Sequence, residues 1–98
     1  MSAVNWYNTH SMTVELDENG VPKERETLKG RKFLHFKGKY YQLIDFVTHA
    51  ETLETMVFYR QLYEPFGLWV RPAKMFFERV VGDGYDGPRF ALVEKESE

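Results

Sequence analysis

The chain has 98 residues, of which 43% are apolar and 29% charged, which is room for one modest folded domain and no more. It has no Cys, which excludes a disulfide framework, a thiolate metal site and a cysteine nucleophile. Its net charge of −2 is unevenly spread: residues 1–28 and 80–98 each carry −3, while nine Lys or Arg against five acids give residues 29–79 a net +4. The plain reading is a mildly basic body between two solvated acidic ends; the sharper one is an acidic tail that competes for a basic face. No apolar run approaches the roughly 18–20 residues that span a bilayer. The N-terminus lacks the basic start and apolar stretch of a signal peptide. The expectation is a cytoplasmic protein that contacts no membrane.

Taken in chain order, residues 1–29 read as an N-terminal arm, either a loose edge hairpin or disordered. Ser11 to Leu16 alternates polar and apolar residues as an exposed strand does. Asn19-Gly20 is a favoured two-residue hairpin turn, in which both residues take positive φ, and Pro22 argues against a central strand beyond it. Phe33–Phe36 is a short apolar run closed by the Lys37-Gly38-Lys39 turn. Tyr40–His49 and Thr55–Tyr63 are two long strand candidates, with a turn over residues 50–54. Helix competes for residues 50–63, but Val57-Phe58-Tyr59 is dense in strand formers. Glu64 to Gly67 breaks the pattern, Leu68–Arg71 is a short strand, and Pro72 opens one helical turn through Phe77. Glu78–Val81 returns as a strand, Gly82–Pro88 reads as a glycine-dense turn region, and Arg89–Val93 as a last edge strand. Glu94–Glu98 is an acidic tail.

This order predicts a mainly β domain over residues 30–93: a small SH3-like barrel with one short helical turn and flexible N- and C-terminal segments. On the first long strand, alternation puts Tyr41, Leu43 and Val47 on one face and Tyr40, Ile44 and Phe46 on the other. Both faces are partly apolar, so the outer one needs a cover from the arm, the helical turn or a second copy of the chain.

Several motifs in order carry a resemblance. His35-Phe36-Lys37-Gly38, Tyr40-Tyr41, His49-x-Glu51-Thr52, Tyr59-Arg60-x-Leu62-Tyr63 and Trp69-Val70-Arg71-Pro72-x-x-Met75-Phe76 resemble the bacterial family of uncharacterised proteins called DUF1653. The resemblance covers roughly residues 30–81. It implies a small SH3-type β-barrel and brings no established activity with it.

Three constellations carry candidate chemistry. Arg60, Arg71 and Lys37 form an anion pocket walled by Tyr59 or Trp69 if they converge, because a guanidinium grips carboxylate or phosphate with two parallel bonds and stacks on rings. The plainer reading pairs each Arg with Glu51, Glu54 or Asp45 across a barrel end. His35 and His49, with Glu51 beside the latter, are the candidates for proton transfer, although their spacing matches no metal-ligand pattern and Glu51-Thr52 equally shapes a turn around His49. His10 reads as solvated. Among the aromatics, 12 of 16 lie between residues 33 and 77 and mostly serve the core, leaving Tyr63 and Trp69, which flank the Pro65–Gly67 loop, as a surface platform. Gly82-x-Gly84-x-x-Gly87 has the spacing of a dinucleotide fingerprint without its strand and helix, and Asp83 and Asp86 do not match a calcium loop. The favoured function is a non-catalytic binding module for an anionic ligand, peptide, nucleotide or RNA segment. A small His/Glu acid–base enzyme and a structural homodimer subunit are the alternatives, and no metal or cofactor is expected.

Overall fold

The computed structural model describes residues 11–94. The readings made for His10, for residues 1–10 and for residues 95–98 lie outside the described residues. In chain order come β1 (Ser11–Met12), a 3-10 turn (Glu26–Leu28), β2 (Lys32–His35), β3 (Tyr40–Thr48), β4 (Thr55–Gln61), β5 (Leu68–Pro72), α1 (Ala73–Phe76), β6 (Arg79–Gly82), β7 (Tyr85–Pro88) and β8 (Phe90–Val93). The protein is mainly β, with its helical turn just after Pro72. The dense β formers of Val57-Phe58-Tyr59 prevail over the helix-favouring residues around them. No helix among the described residues is long and apolar enough to cross a membrane.

Six strands form one antiparallel sheet in the order β1-β8-β2-β3-β4-β5, and β6 and β7 form a separate hairpin. The hydrogen-bonded ladder does not close on itself, since β1 and β5 are both edges. The sheet is nonetheless strongly curled. Strands β8 and β4 are three steps apart, roughly 14 Å in a flat sheet, yet the Phe90 and Tyr59 rings approach to 5.5 Å between centroids. Phe33, Leu43 and Val57 are fully buried on the concave side, and α1 plugs it with Ala73 and Phe76, which are equally buried. Phe76 stacks flat on Phe90 at 4.0 Å and meets Phe33 and Tyr59 edge-on. Each such fully buried apolar side chain contributes about 1.5–3 kcal/mol by leaving water. Val14, Leu16 and Val21 pack against this core and Leu28 is buried within it.

Four local expectations change. The turn at Asn19-Gly20 spans three residues: Gly20 donates its N–H to the Asp17 carbonyl, and Gly20 alone among the loop residues has positive φ, at 79°. The Asp17 carboxylate accepts the N–H groups of Asn19 and Val21, which fixes this wider loop. In β3, a bulge between Leu43 and Asp45 inserts one residue and reverses the alternation. Phe46 therefore joins Leu43 against the core, and Val47 points to solvent. Residues 82–88 hold a strand, because Asp83 and Gly84 both take positive φ (51° and 81°) and turn the chain in two residues. Finally, β8 is an interior strand between β1 and β2, and Phe90 and Leu92 are buried there.

Candidate functional site

Alternation decides which candidate side chains meet. In the β4–β5 ladder, Tyr59 lies opposite Trp69 and Val57 opposite Arg71. Val57 is a core residue, so Tyr59, Trp69 and Arg71 share the concave face. Arg60 and its partner Leu68 share the convex one. His35 lies opposite Phe90 on β2 and β8, and Tyr41 opposite Gln61 on β3 and β4. These residues meet at one end of the curled sheet.

At its centre, the Arg71 guanidinium lies over the Phe90 ring at 5.8 Å, and its Nε donates to the Tyr59 hydroxyl at 3.3 Å. The Tyr41 and Tyr63 hydroxyls share a hydrogen bond of 2.5 Å, and their rings meet edge-on. Burial, then that hydrogen bond, raises the Tyr41 hydroxyl to about 12, so it stays protonated. The Lys39 ammonium sits 4.5 Å from the centre of the Tyr63 ring. Trp69 is half exposed, and its Nε1 donates to the Oε1 of buried Gln61 at 2.7 Å. Gln61 in turn donates to the Tyr63 carbonyl, so its amide is satisfied on both sides.

His35 closes the site between the rings of Phe36 and Phe90. Its Nδ1 accepts the Lys37 N–H at 3.1 Å, which leaves the ring proton on Nε2. Burial, followed by the charges of Arg71, Arg89 and Lys37, lowers its pKa, so the ring is neutral near pH 7. Arg89 is paired with Glu78 at 3.1 Å. Arg71, Lys37 and Lys39 have no carboxylate partner among the described residues. The result is an aromatic mouth with three uncompensated cations.

Of the nine candidates, five gather here: His35, Tyr59, Tyr63, Trp69 and Arg71. Lys37 flanks them on the β2–β3 turn. Arg60 does not join them: it lies on the convex face and donates to the Phe66 carbonyl at 3.2 Å, so the pocket built from both arginines does not form. His49 and Glu51 sit in the β3–β4 turn, where the His49 Nδ1 accepts the backbone N–H groups of Glu51 and Thr52. Glu51 thus meets His49 through its main chain, and the acceptor nitrogen is occupied, which is the turn-shaping arrangement. Asp45 and Glu54 pair with Lys29 and Lys74, and neither pairs with an arginine. Sequence reasoning missed Lys39, Gln61 and Phe90, and did not single out Tyr41 among aromatics read as mostly core. The alternation Tyr59-x-Gln61 on one strand carried the signal for Gln61. Among the described residues, no three His, Asp or Glu side chains cluster closely enough to hold a metal ion.

The family described as "Protein of unknown function (DUF1653)" matches residues 31–92, which include every residue of this mouth. The chain belongs to the DUF1653 family. The match extends beyond the resemblance read over residues 30–81 to take in Phe90, and it leaves residues 11–30 outside. A crystal structure of a DUF1653 protein from Bordetella bronchiseptica is similar, with a TM-score of 0.64 and 26% identity, covering 76% of this chain and 99% of that one. No curated protein matches the chain.

Proposed function

We propose that this DUF1653 protein is a non-catalytic binding module that holds an anionic group, the carboxylate or phosphate of a peptide or nucleotide, at Arg71. One observation carries the reading: Arg71 is half buried against Phe90 and Tyr59 and has no carboxylate beside it among the described residues. A guanidinium in such a place is partly stripped of water, and an incoming anion supplies the missing counter-charge. Lys37 and Lys39 add attraction at the rim, the tyrosine hydroxyls supply further hydrogen-bonding groups, and exposed Trp69 offers a ring for stacking. The curled sheet plugged by α1 supports an SH3-like barrel as the scaffold, with the mouth at one end. A cysteine-free chain suits a reducing compartment, and on this reading the module works in the bacterial cytoplasm.

The test is calorimetric titration of the full chain with inorganic phosphate, a nucleoside monophosphate and an acidic peptide. Arg71→Gln is expected to weaken binding of the responding probe by about tenfold or more, a loss of ~1.4 kcal/mol or more. Arg60→Gln, on the opposite face, is expected to leave it unchanged. Equal binding by wild type and Arg71→Gln, or no response to any of the three probes, rejects the proposal.

A further inference from the structure

Strand β5 is an edge of the six-stranded sheet, and the chain from Pro65 through Val70 carries no charged side chain. Leu68 and Val70 are 51% and 56% exposed, and Phe66 is 50% exposed. Natural edges are usually protected by charges, bulges or a covering segment, and this one is apolar and has no covering strand among the described residues. The direction of its free backbone groups follows from the ladder. Gln61 donates its N–H to the Gly67 carbonyl at 3.0 Å, and Arg60 faces Leu68 next along. Hydrogen-bonded pairs recur at every second residue of an antiparallel ladder. Trp69 and Arg71 therefore spend their N–H and C=O groups on β4, and Leu68 and Val70 turn theirs outward.

We infer that a second copy of this chain covers that edge, β5 pairing antiparallel with β5 of the partner about a two-fold axis at Trp69. The edge is self-complementary in three respects. Leu68 meets Val70 of the partner subunit, and Val70 meets the partner's Leu68. Both pairs expose outward N–H and C=O groups, so four backbone hydrogen bonds form. On the convex face, the same pairs bury four aliphatic side chains against one another. The charges also match: Glu64 precedes β5 and Lys74 lies beyond its far end, so antiparallel pairing sets the acidic end of one copy against the basic end of the other. Pro72, which has no N–H, ends the ladder on each side. Because Trp69 and Arg71 lie on the concave face, the pairing brings the mouths of the two copies side by side.

The experiment uses sedimentation equilibrium and oxidative cross-linking of the full chain. Wild type is expected to sediment at twice the 11.6 kDa mass of one chain. Val70→Lys places a charge on the free edge and is expected to return it to the single-chain mass with an unchanged circular dichroism spectrum. As the chain has no native cysteine, Trp69→Cys gives a second readout that does not depend on that variant folding. The two copies' residues 69 form a non-hydrogen-bonded pair, about 4.5 Å between Cα atoms, within disulfide reach. Trp69→Cys is expected to form a linked dimer under mild oxidation, and Leu53→Cys, on the exposed β3–β4 turn, is not. A single-chain mass for wild type at millimolar concentration overturns the inference, as does equal cross-linking of the two cysteine variants.

Discussion

The two described histidines do the same job in different places. Each offers Nδ1 to the backbone N–H two residues later, Lys37 in one turn and Glu51 in the other. They differ in surroundings, because His35 is partly buried and also faces Arg71, Arg89 and Lys37 from β5, from the residue before β8 and from its own turn. Protonating His35 costs its turn acceptor and adds a charge beside three cations. Its folded pKa lies below the ordinary 6.5, so the unfolded chain binds the proton more readily. The stabilisation is therefore complete above about pH 6.5 and is lost as pH falls through the lower folded value. We predict that the urea midpoint of wild type falls as pH drops below 6.5, and that His35→Asn, which keeps an acceptor for the Lys37 N–H but does not titrate, shows a shallower fall. Parallel pH profiles for the two proteins rule this out. The same residue scale explains how much of the site was legible. Arg71, Trp69 and Tyr59 were readable because residue types that recognise anions stood next to strand formers. Arg60 was grouped with them by nearness in sequence, although adjacent residues on a strand face opposite ways.

At the scale of elements, β3, β4, β5 and α1 follow closely from local composition. The bulge in β3 does not, because what stabilises it is distributed: the Asp45 carboxylate accepts the Phe46 N–H at 2.7 Å and also binds Lys29 from outside the strand. The interior place of β8 was equally hidden, since its neighbours β1 and β2 are far away in sequence and only long-range strand pairing brings them together. The β6–β7 hairpin was legible in principle, because Asp83-Gly84 between strand formers is a two-residue turn signal. That hairpin gives a test of its own packing. A Cβ on Gly87 falls 2.7 Å from the Tyr85 hydroxyl oxygen and 3.0 Å from Cζ. The Tyr85 hydroxyl donates to the Pro88 carbonyl, and its ring stacks on Phe36. We predict that Gly87→Ala pushes the tyrosine aside and costs about 1 kcal/mol, close to the worth of one hydrogen bond. In a Tyr85→Ala background the same change costs far less, so a double-mutant cycle reads a coupling between the two positions. Simple additivity refutes the account.

For the whole molecule, the question is whether residues 11–30, which lie outside the DUF1653 match, belong to the same cooperative unit as the rest. Their packing says that they do. Leu28 is only 4% exposed and sits in one cluster with Phe33, Leu43 and Phe77, and Val14, Leu16 and Val21 lie against it. The Arg25 guanidinium lies 5.6 Å from the centre of the Phe46 ring, on the face that the β3 bulge turns inward. Lys29 reaches from the same segment to Asp45. The backbone is tied as well: Gly30 donates to the Leu43 carbonyl at 2.7 Å, and Leu43 donates to the Arg31 carbonyl at 3.0 Å. A segment that was merely laid on a finished domain would frays away first, giving an early transition that leaves the sheet intact. A segment that completes the core unfolds with it. We predict a single urea transition followed alike by tryptophan fluorescence and circular dichroism. Leu28→Ala, outside the family match, is expected to cost about 2–5 kcal/mol, in the same range as Leu43→Ala within it. If Leu28→Ala leaves the main midpoint where it was, or splits the transition in two, residues 11–30 are an accessory to the fold and the core is complete without them.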